Sequence, residues 1–375
     1  MCIARLLAVV GAVSAVMTAC APARPAALSA PTPIVGLIPL LSWLGENTRP
    51  ARSAYARLSD SMRYGSISGL VRDAQSGDWV GVIDDRDGTR VAWISIQFAQ
   101  GQLDVTPTRL MALTAGPGVP VSTATQADLE AIAALPGGTF VMGEEGHRTK
   151  AGGVWQPVIL HVTRDGVVTD LIQYPKKFQL QDGARGLRDN QGFESLTRTP
   201  NGHLIAGLEQ PLIEDGATTS FDRGGRGRLI EFVPDGTSWR AGREWAYAIN
   251  PTPRVEEFDA ICQDGENGLV DLLALSDTML LSMERACLQD PATGRVASTI
   301  LIFAVNLEGD QAQKTAILDV STLVDRLSPA LAHLENFEAL AFGPPSPNGG
   351  RTLLVVSDDN FRESQKSSFL LFGLR

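Results

Sequence analysis

Gly192-Phe193-Glu194-Ser195-Leu196 is followed, across a Pro200-Asn201-Gly202 turn, by His203-Leu204-Ile205-Ala206-Gly207-Leu208-Glu209. A short apolar segment carrying an acid, a turn, and a second apolar segment ending in acid read together as a β-hairpin. Aliphatic and β-branched residues suit a pleated, buried surface, and Pro-Asn-Gly supplies the turn conformations. The pattern occurs at four further places: 66–70 with 79–85, 128–132 with 139–145, 268–272 with 279–285, and 336–340 with 353–359. Its marker positions, Ser68, Glu130, Glu194, Asp271 and Glu338, stand 62, 64, 77 and 67 residues apart. A hairpin returning at that interval is one supersecondary unit used five times.

Each interval holds two more strand-like runs: 91–98 and 103–113, 158–162 and 167–174, 228–233 and 244–249, 299–305 and 314–318. Two plus two is the strand content of a propeller blade. The last unit has a single run after its hairpin, 367–374. A strand from the N-terminal side, 34–41 or 54–58, is expected to complete it, since mixing the chain ends in one blade removes open edges. The expected fold is an all-β propeller of five four-stranded blades closed by an N-terminal strand, with six blades as the alternative. Helical periodicity is confined to 320–334, where Pro329 interrupts it.

The first residues read as a leader. One positive charge precedes the apolar run 6–16, which is too short to span a bilayer, and Met17-Thr18-Ala19-Cys20 follows. This resembles a bacterial lipoprotein processing site, with Met17 where that pattern prefers Leu. Two readings stand: lipidation of Cys20 after removal of 1–19, or ordinary secretory cleavage nearby. Residues 20–33 form a Pro/Ala tether, and 34–375 form the propeller domain. The expected location is the bacterial cell envelope, as a periplasmic lipoprotein, or outside the cell as a soluble protein. Contact with membrane is expected through the lipid alone. Cys262 and Cys287 remain as a pair in an oxidising compartment, either bridged or as two buried thiols. The net charge of −10 repels phosphate backbones, so nucleic acid is not expected as a partner unless a cation intervenes. A monomer is expected.

Asn190-Gln191-Gly192-Phe193-Glu194-Ser195-Leu196 with Glu209-Gln210-Pro211-Leu212 resembles the core signature of the phytase-like family, also called esterase-like activity of phytase. Asn336-Phe337-Glu338-Ala339 with Ser357-Asp358-Asp359-Asn360-Phe361, and Ser68-Gly69-Leu70 with Asp84-Asp85, are similar to other parts of it. The resemblance runs from about Gly65 to the C-terminus. It implies a propeller, an exported location, and hydrolysis of esters or phosphate esters.

The first strand of a blade lines the central channel, so Ser68, Glu130, Glu194, Asp271 and Glu338 are expected to converge there. The acids Asp84, Glu144, Glu209, Glu284 and Asp358 are expected at one rim. Crowded carboxylates persist only when protonated, paired with cations or bound to a metal, and Ca2+ accepts many oxygens in irregular geometry. Arg86, Arg185, Arg188, Arg285 and Arg362 are the cations available to pair. Candidate catalytic residues are Glu194, Glu209, Glu338 and His333. Candidate metal ligands are Asp84, Asp85, Glu144, Glu145, Asp358 and Asp359. The substrate would be a small-molecule ester or phosphate ester. A recurring acid can instead set blade register by accepting backbone N–H groups. That role comes first for Glu130, Asp271 and Glu284, and both roles remain open for Glu194, Glu209, Glu338, Asp358 and Asp359. Asp85-Arg86-Asp87-Gly88 reads as a plain turn. The motifs of serine hydrolases, zinc peptidases and P-loop enzymes are missing from the sequence. A propeller that binds a ligand or protein partner without catalysis is the alternative function.

Overall fold

The computed structural model describes residues 41–50, 62–327 and 334–375. In it the five hairpins are the inner halves of five antiparallel sheets. Blade one is Ile67–Arg72, Trp79–Ile83, Arg90–Ala99 and Gln102–Ala112. Blade two is Leu129–Ala134, Phe140–Glu144, Val158–Val162 and Val167–Gln173, extended by a short parallel pairing with Thr114–Ala115. Blade three is Phe193–Arg198, Leu204–Leu208, Gly225–Asp235 and Ser238–Ile249. Blade four is Gly268–Ala274, Met279–Gln289, Val296–Asn306 and Gln313–Asp319. Blade five is Asn336–Phe342, Thr352–Asp358, Lys366–Leu374 and, from the other end of the chain, Leu41–Pro50.

The five first strands touch one another in cyclic order, blade five closing on blade one. The blade number is therefore five. A buried apolar cluster fills each of the five joints. Val80, Val82 and Trp93 of blade one meet Leu129, Phe140 and Met142 of blade two. Phe193 and Leu204 of blade three meet Val141 and Ile159 of blade two. Equivalent layers join blades three and four, four and five, and five and one. A blade is thus buried on both faces, which is why its inner strands read as nearly continuous apolar runs. Each large side chain buried in these layers contributes about 1.5–3 kcal/mol.

The closing strand comes from the N-terminal side but occupies neither expected segment, overlapping 34–41 only at Leu41. It is the outer strand of its blade, so one apolar stretch is enough to dock it. Trp43 packs edge-on against Phe372, with centroids 5.5 Å apart, and a bulge between Trp43 and Gly45 shifts the register. Of the stretch expected to be helical, Val320–Arg326 is a 3-10 segment in which Asp319 accepts the Ser321 N–H at 2.9 Å, and 328–333 lie outside the described residues. Cys262 and Cys287 are joined by a disulfide, with Cα atoms 5.4 Å apart. It pins the loop before blade four to the far end of that blade's second strand.

Candidate functional site

Every first strand carries a β-bulge two or three residues from its start. A bulge leaves one residue unpaired and re-aims its side chain. In blades one, two, three and five that residue is Ser68, Glu130, Glu194 and Glu338. In blade four it is Val270, not Asp271. The expected alignment is one residue out there because the local bulge precedes the acid. Val270 joins the core between blades four and five. Asp271 accepts the N–H groups of Leu272 at 2.7 Å and Leu340 at 2.6 Å, tying blade four to blade five.

The rim needs a similar correction. The residues just past the bulged pair on the second strands are Asp84, Glu145, Glu209, Arg285 and Asp358. They lie opposite Ser66, Asp128, Gly192, Gly268 and Asn336. Glu144 and Glu284 fall one residue short, and alternation turns them to the other face. Glu284 is fully buried between blades three and four, where it contacts Lys314, Tyr247 Oη at 2.9 Å and Asn267 Nδ2 at 2.7 Å. Glu144 faces His147, 3.8 Å away, and burial pushes it up to about 8.

What converges lies mainly on blades one to three. One ligand oxygen each from Asp84, Asp128 and Glu130 lie within 4.8 Å of one another, as do those of Glu130, Glu145 and Glu194. All but Asp84 are buried as residues. Burial, then the neighbouring negative charges, holds Asp84, Glu130, Glu145 and Glu194 well above the usual carboxylate range. Gly69 lets the first strands of blades one and two close up, since a Cβ there would lie 2.9 Å from the Glu130 carbonyl oxygen. Gly192 does the same beside Glu145, whose Oε1 accepts the Gly192 N–H at 2.8 Å. Arg86 reaches over from the blade-one turn to bond Asp128, at 2.7 Å from Nε, and Asn190. Ser68 Oγ, in the equivalent bulge position of the adjoining first strand, is buried and has no hydrogen-bond partner among the described residues. Leaving such a group unsatisfied costs about 1–3 kcal/mol.

The other half of the mouth is organised by a cation. Arg285 Nη2 lies 3.1 Å from Glu338 Oε1 and 4.0 Å from Glu209 Oε1. Burial disfavours the Arg285 charge, but Glu338 and Glu209 outweigh it. Glu209 sits on the same cation yet is pushed up to about 8, mainly by burial. Asp358 is raised by burial and by Glu338, and accepts the Asn360 N–H at 2.6 Å.

The remaining candidates are placed elsewhere. Asp85 pairs with Arg90 at 2.8 Å and Arg63 at 3.0 Å and caps its own turn through the Asp87 N–H. Asp359 accepts the N–H groups of Ser66 and Phe361, both at 3.0 Å, latching blade five to blade one. Arg188 bonds the carbonyl oxygens of Pro211 and Gly216. His333 lies outside the described residues, as do Cys20 and the whole of 1–40. Asp128, outside the set of site residues expected from the sequence, and Glu130, expected first to set blade register, both enter the cluster. The signal for Asp128 was its place opposite Glu145 in the repeat.

The oxygen-only donor set, its burial and the orphaned Ser68 hydroxyl fit a hard divalent cation. Fold and site together define a five-bladed β-propeller with a carboxylate-lined channel mouth able to hold a metal ion. The chain belongs to the phytase-like family, described as esterase-like activity of phytase, whose profile matches residues 62–361. No curated protein sequence matches it. Among solved structures, an endo-arabinase from Bacteroides thetaiotaomicron is 9% identical with TM-score 0.43, covering 84% of this chain and 95% of its own. A gluconolactonase from Xanthomonas campestris is 11% identical with TM-score 0.34, covering 94% and 99%. An α-L-arabinofuranosidase from Lactobacillus brevis is 7% identical with TM-score 0.39, covering 86% and 94%. At these values none of them bears on what this chain does.

Proposed function

We propose that the protein is a cation-dependent hydrolase of small-molecule esters, carboxylic or phosphate, acting at the propeller mouth with calcium. The observation that carries this is the convergence of Asp84, Asp128, Glu130, Glu145 and Glu194 in two overlapping groups, opposite the Arg285 guanidinium. Family membership agrees with it.

When bound, a divalent cation supplies Lewis acidity toward the ester oxygen and keeps the carboxylates of blades one to three ionised. Arg285 faces that side from blade four and neutralises negative charge that develops on the substrate. Glu209 holds a proton up to about pH 8 and stands beside Arg285, so it serves as the general acid for the departing alcohol. Glu194, influenced by both Glu145 and Glu209, takes the proton from the attacking water. Water's hydroxyl ends on the acyl or phosphoryl group, and the alcohol leaves with the Glu209 proton. Glu194 returns its proton to Glu209 between turnovers.

The reading also places the protein at the cell envelope, held by lipid on Cys20; the intact mass of membrane-extracted protein tests that. The activity is tested by assaying p-nitrophenyl phosphate and p-nitrophenyl acetate with calcium and with chelator. Turnover that chelator abolishes and calcium restores is expected. Undiminished turnover in Glu194→Gln/Glu338→Gln would remove the site assignment. A folded protein that binds cation but turns over no ester is a ligand-binding propeller instead.

A further inference from the structure

We propose that the mouth holds two divalent cations at once, that Glu130 bridges them, and that Ser68 Oγ completes one coordination shell. This rests on the cation-dependent reading above and deepens it.

The two groups of converging oxygens share one residue. Asp84, Asp128 and Glu130 make the first, and Glu130, Glu145 and Glu194 make the second. Each set has its oxygens within 4.8 Å of one another, the spread expected around a hard cation whose ligands stand 2–2.6 Å from it. A carboxylate has two oxygens and can give one to each of two adjacent ions. Glu130 is positioned for this by its bulge, on the middle blade of the three, with ligands of blade one on one side and of blade three on the other.

Charge decides between one ion and two. Five carboxylates face a single guanidinium, Arg86 on Asp128, which leaves four negative charges uncompensated when all are ionised. One divalent ion leaves two of them to be neutralised by retained protons, whereas two divalent ions cancel all four and leave every carboxylate free to ligate. Arg285 also acts on Glu194, but Glu338 and Glu209 act on it more strongly and already outnumber its single charge, so it does not change the balance. Buried charge in excess of its counter-charge is costly, so the two-ion state is the favoured one when calcium is abundant.

Ser68 is the independent sign of a ligand. It is 2% exposed, its Oγ has no hydrogen-bond partner among the described residues, and it stands in the bulge position equivalent to Glu130 on the adjoining first strand. A hydroxyl oxygen there is a neutral ligand for the ion on the blade-one side. Glu194 and Glu338 hold the same position in blades three and five, and Val270 in blade four. The donors therefore end where blade four begins.

The test is calcium titration of the purified, chelator-stripped full chain, by calorimetry and by native mass spectrometry. Two calcium ions per chain are expected. Glu130→Gln weakens both sites by about tenfold or more, because it serves both. Glu145→Gln and Ser68→Ala each weaken one site and leave the other, which keeps the test decisive if Glu130→Gln does not fold. Asp271→Asn, whose parent carboxylate accepts only the Leu272 and Leu340 N–H groups, leaves the stoichiometry at two. One ion per chain with chelator-sensitive ester turnover overturns the bridge and leaves the cation-dependent reading standing. No bound ion overturns both. Two ions that Glu130→Gln does not affect overturn the bridge alone.

Discussion

Arg285 Nη2 stands 3.1 Å from Glu338 Oε1 across the joint between blades four and five, with both side chains close to fully buried. Blade four thus supplies a cation at the position where every other blade supplies an acid. Removing one partner of such a pair strands the other charge in the interior, a loss of about 3–5 kcal/mol. Arg285→Met should lower the unfolding free energy by about that amount in urea titration and raise KM for anionic esters. Adding Glu338→Leu should recover part of the stability and none of the KM.

Asp271 and Glu130 look alike in the repeat and do different work. Asp271 accepts two backbone N–H groups, one of them Leu340 of the next blade. Asp271→Ala should cost about 1–3 kcal/mol for each N–H left unpaired. Calcium affinity of the folded variant should stay at the parental value. Glu130→Gln should show the reverse, with weak calcium binding and little change in the metal-free melting temperature. Melting curves with and without calcium check both variants.

Glu209 makes the metal-free protein pH-sensitive in a definite direction. Its folded value of about 8 lies above its ordinary 4.5. The folded state then holds a proton that the unfolded state has lost, so this contribution is complete below about pH 4.5 and is lost as pH rises to about 8. The melting temperature in chelator should fall from pH 5 to pH 8, and Glu209→Gln should flatten that slope. The same proton serves catalysis, so ester turnover in calcium should decline with rising pH as Glu209 ionises, and bound calcium moves that decline below the metal-free value.

Most of the fold was legible in the sequence, because both blade faces are buried and each hairpin must repeat its apolar pattern and its turn. The strand Leu41–Pro50 was harder to see. An outer strand needs little apolar sequence, and its partner lies at the other end of the chain. The site was legible in kind but not in register. Glu144 and Glu145 are adjacent in sequence and face opposite ways, and only the bulge on the partner strand shows which of them enters the mouth. In blade four the bulge at Val270 hid the equivalence of Arg285 with Asp84, Glu145, Glu209 and Asp358. Asp128 escaped notice because it lies just before its strand, where an acid commonly belongs to a turn.

The Cys262–Cys287 bridge closes a loop with a sequence separation of 25. Loop entropy assigns it about 3.5 kcal/mol. Cys262→Ser/Cys287→Ser should lose about that much in chemical denaturation, while calcium stoichiometry stays unchanged because the bridge lies outside the mouth.

The most direct test of the central claim is an anomalous difference map from crystals of the protein grown with manganese(II) in place of calcium. Density is predicted at the channel mouth, enclosed by Asp84, Asp128, Glu130, Glu145 and Glu194. A map with manganese only at surface carboxylates, and none among these five, would contradict the account.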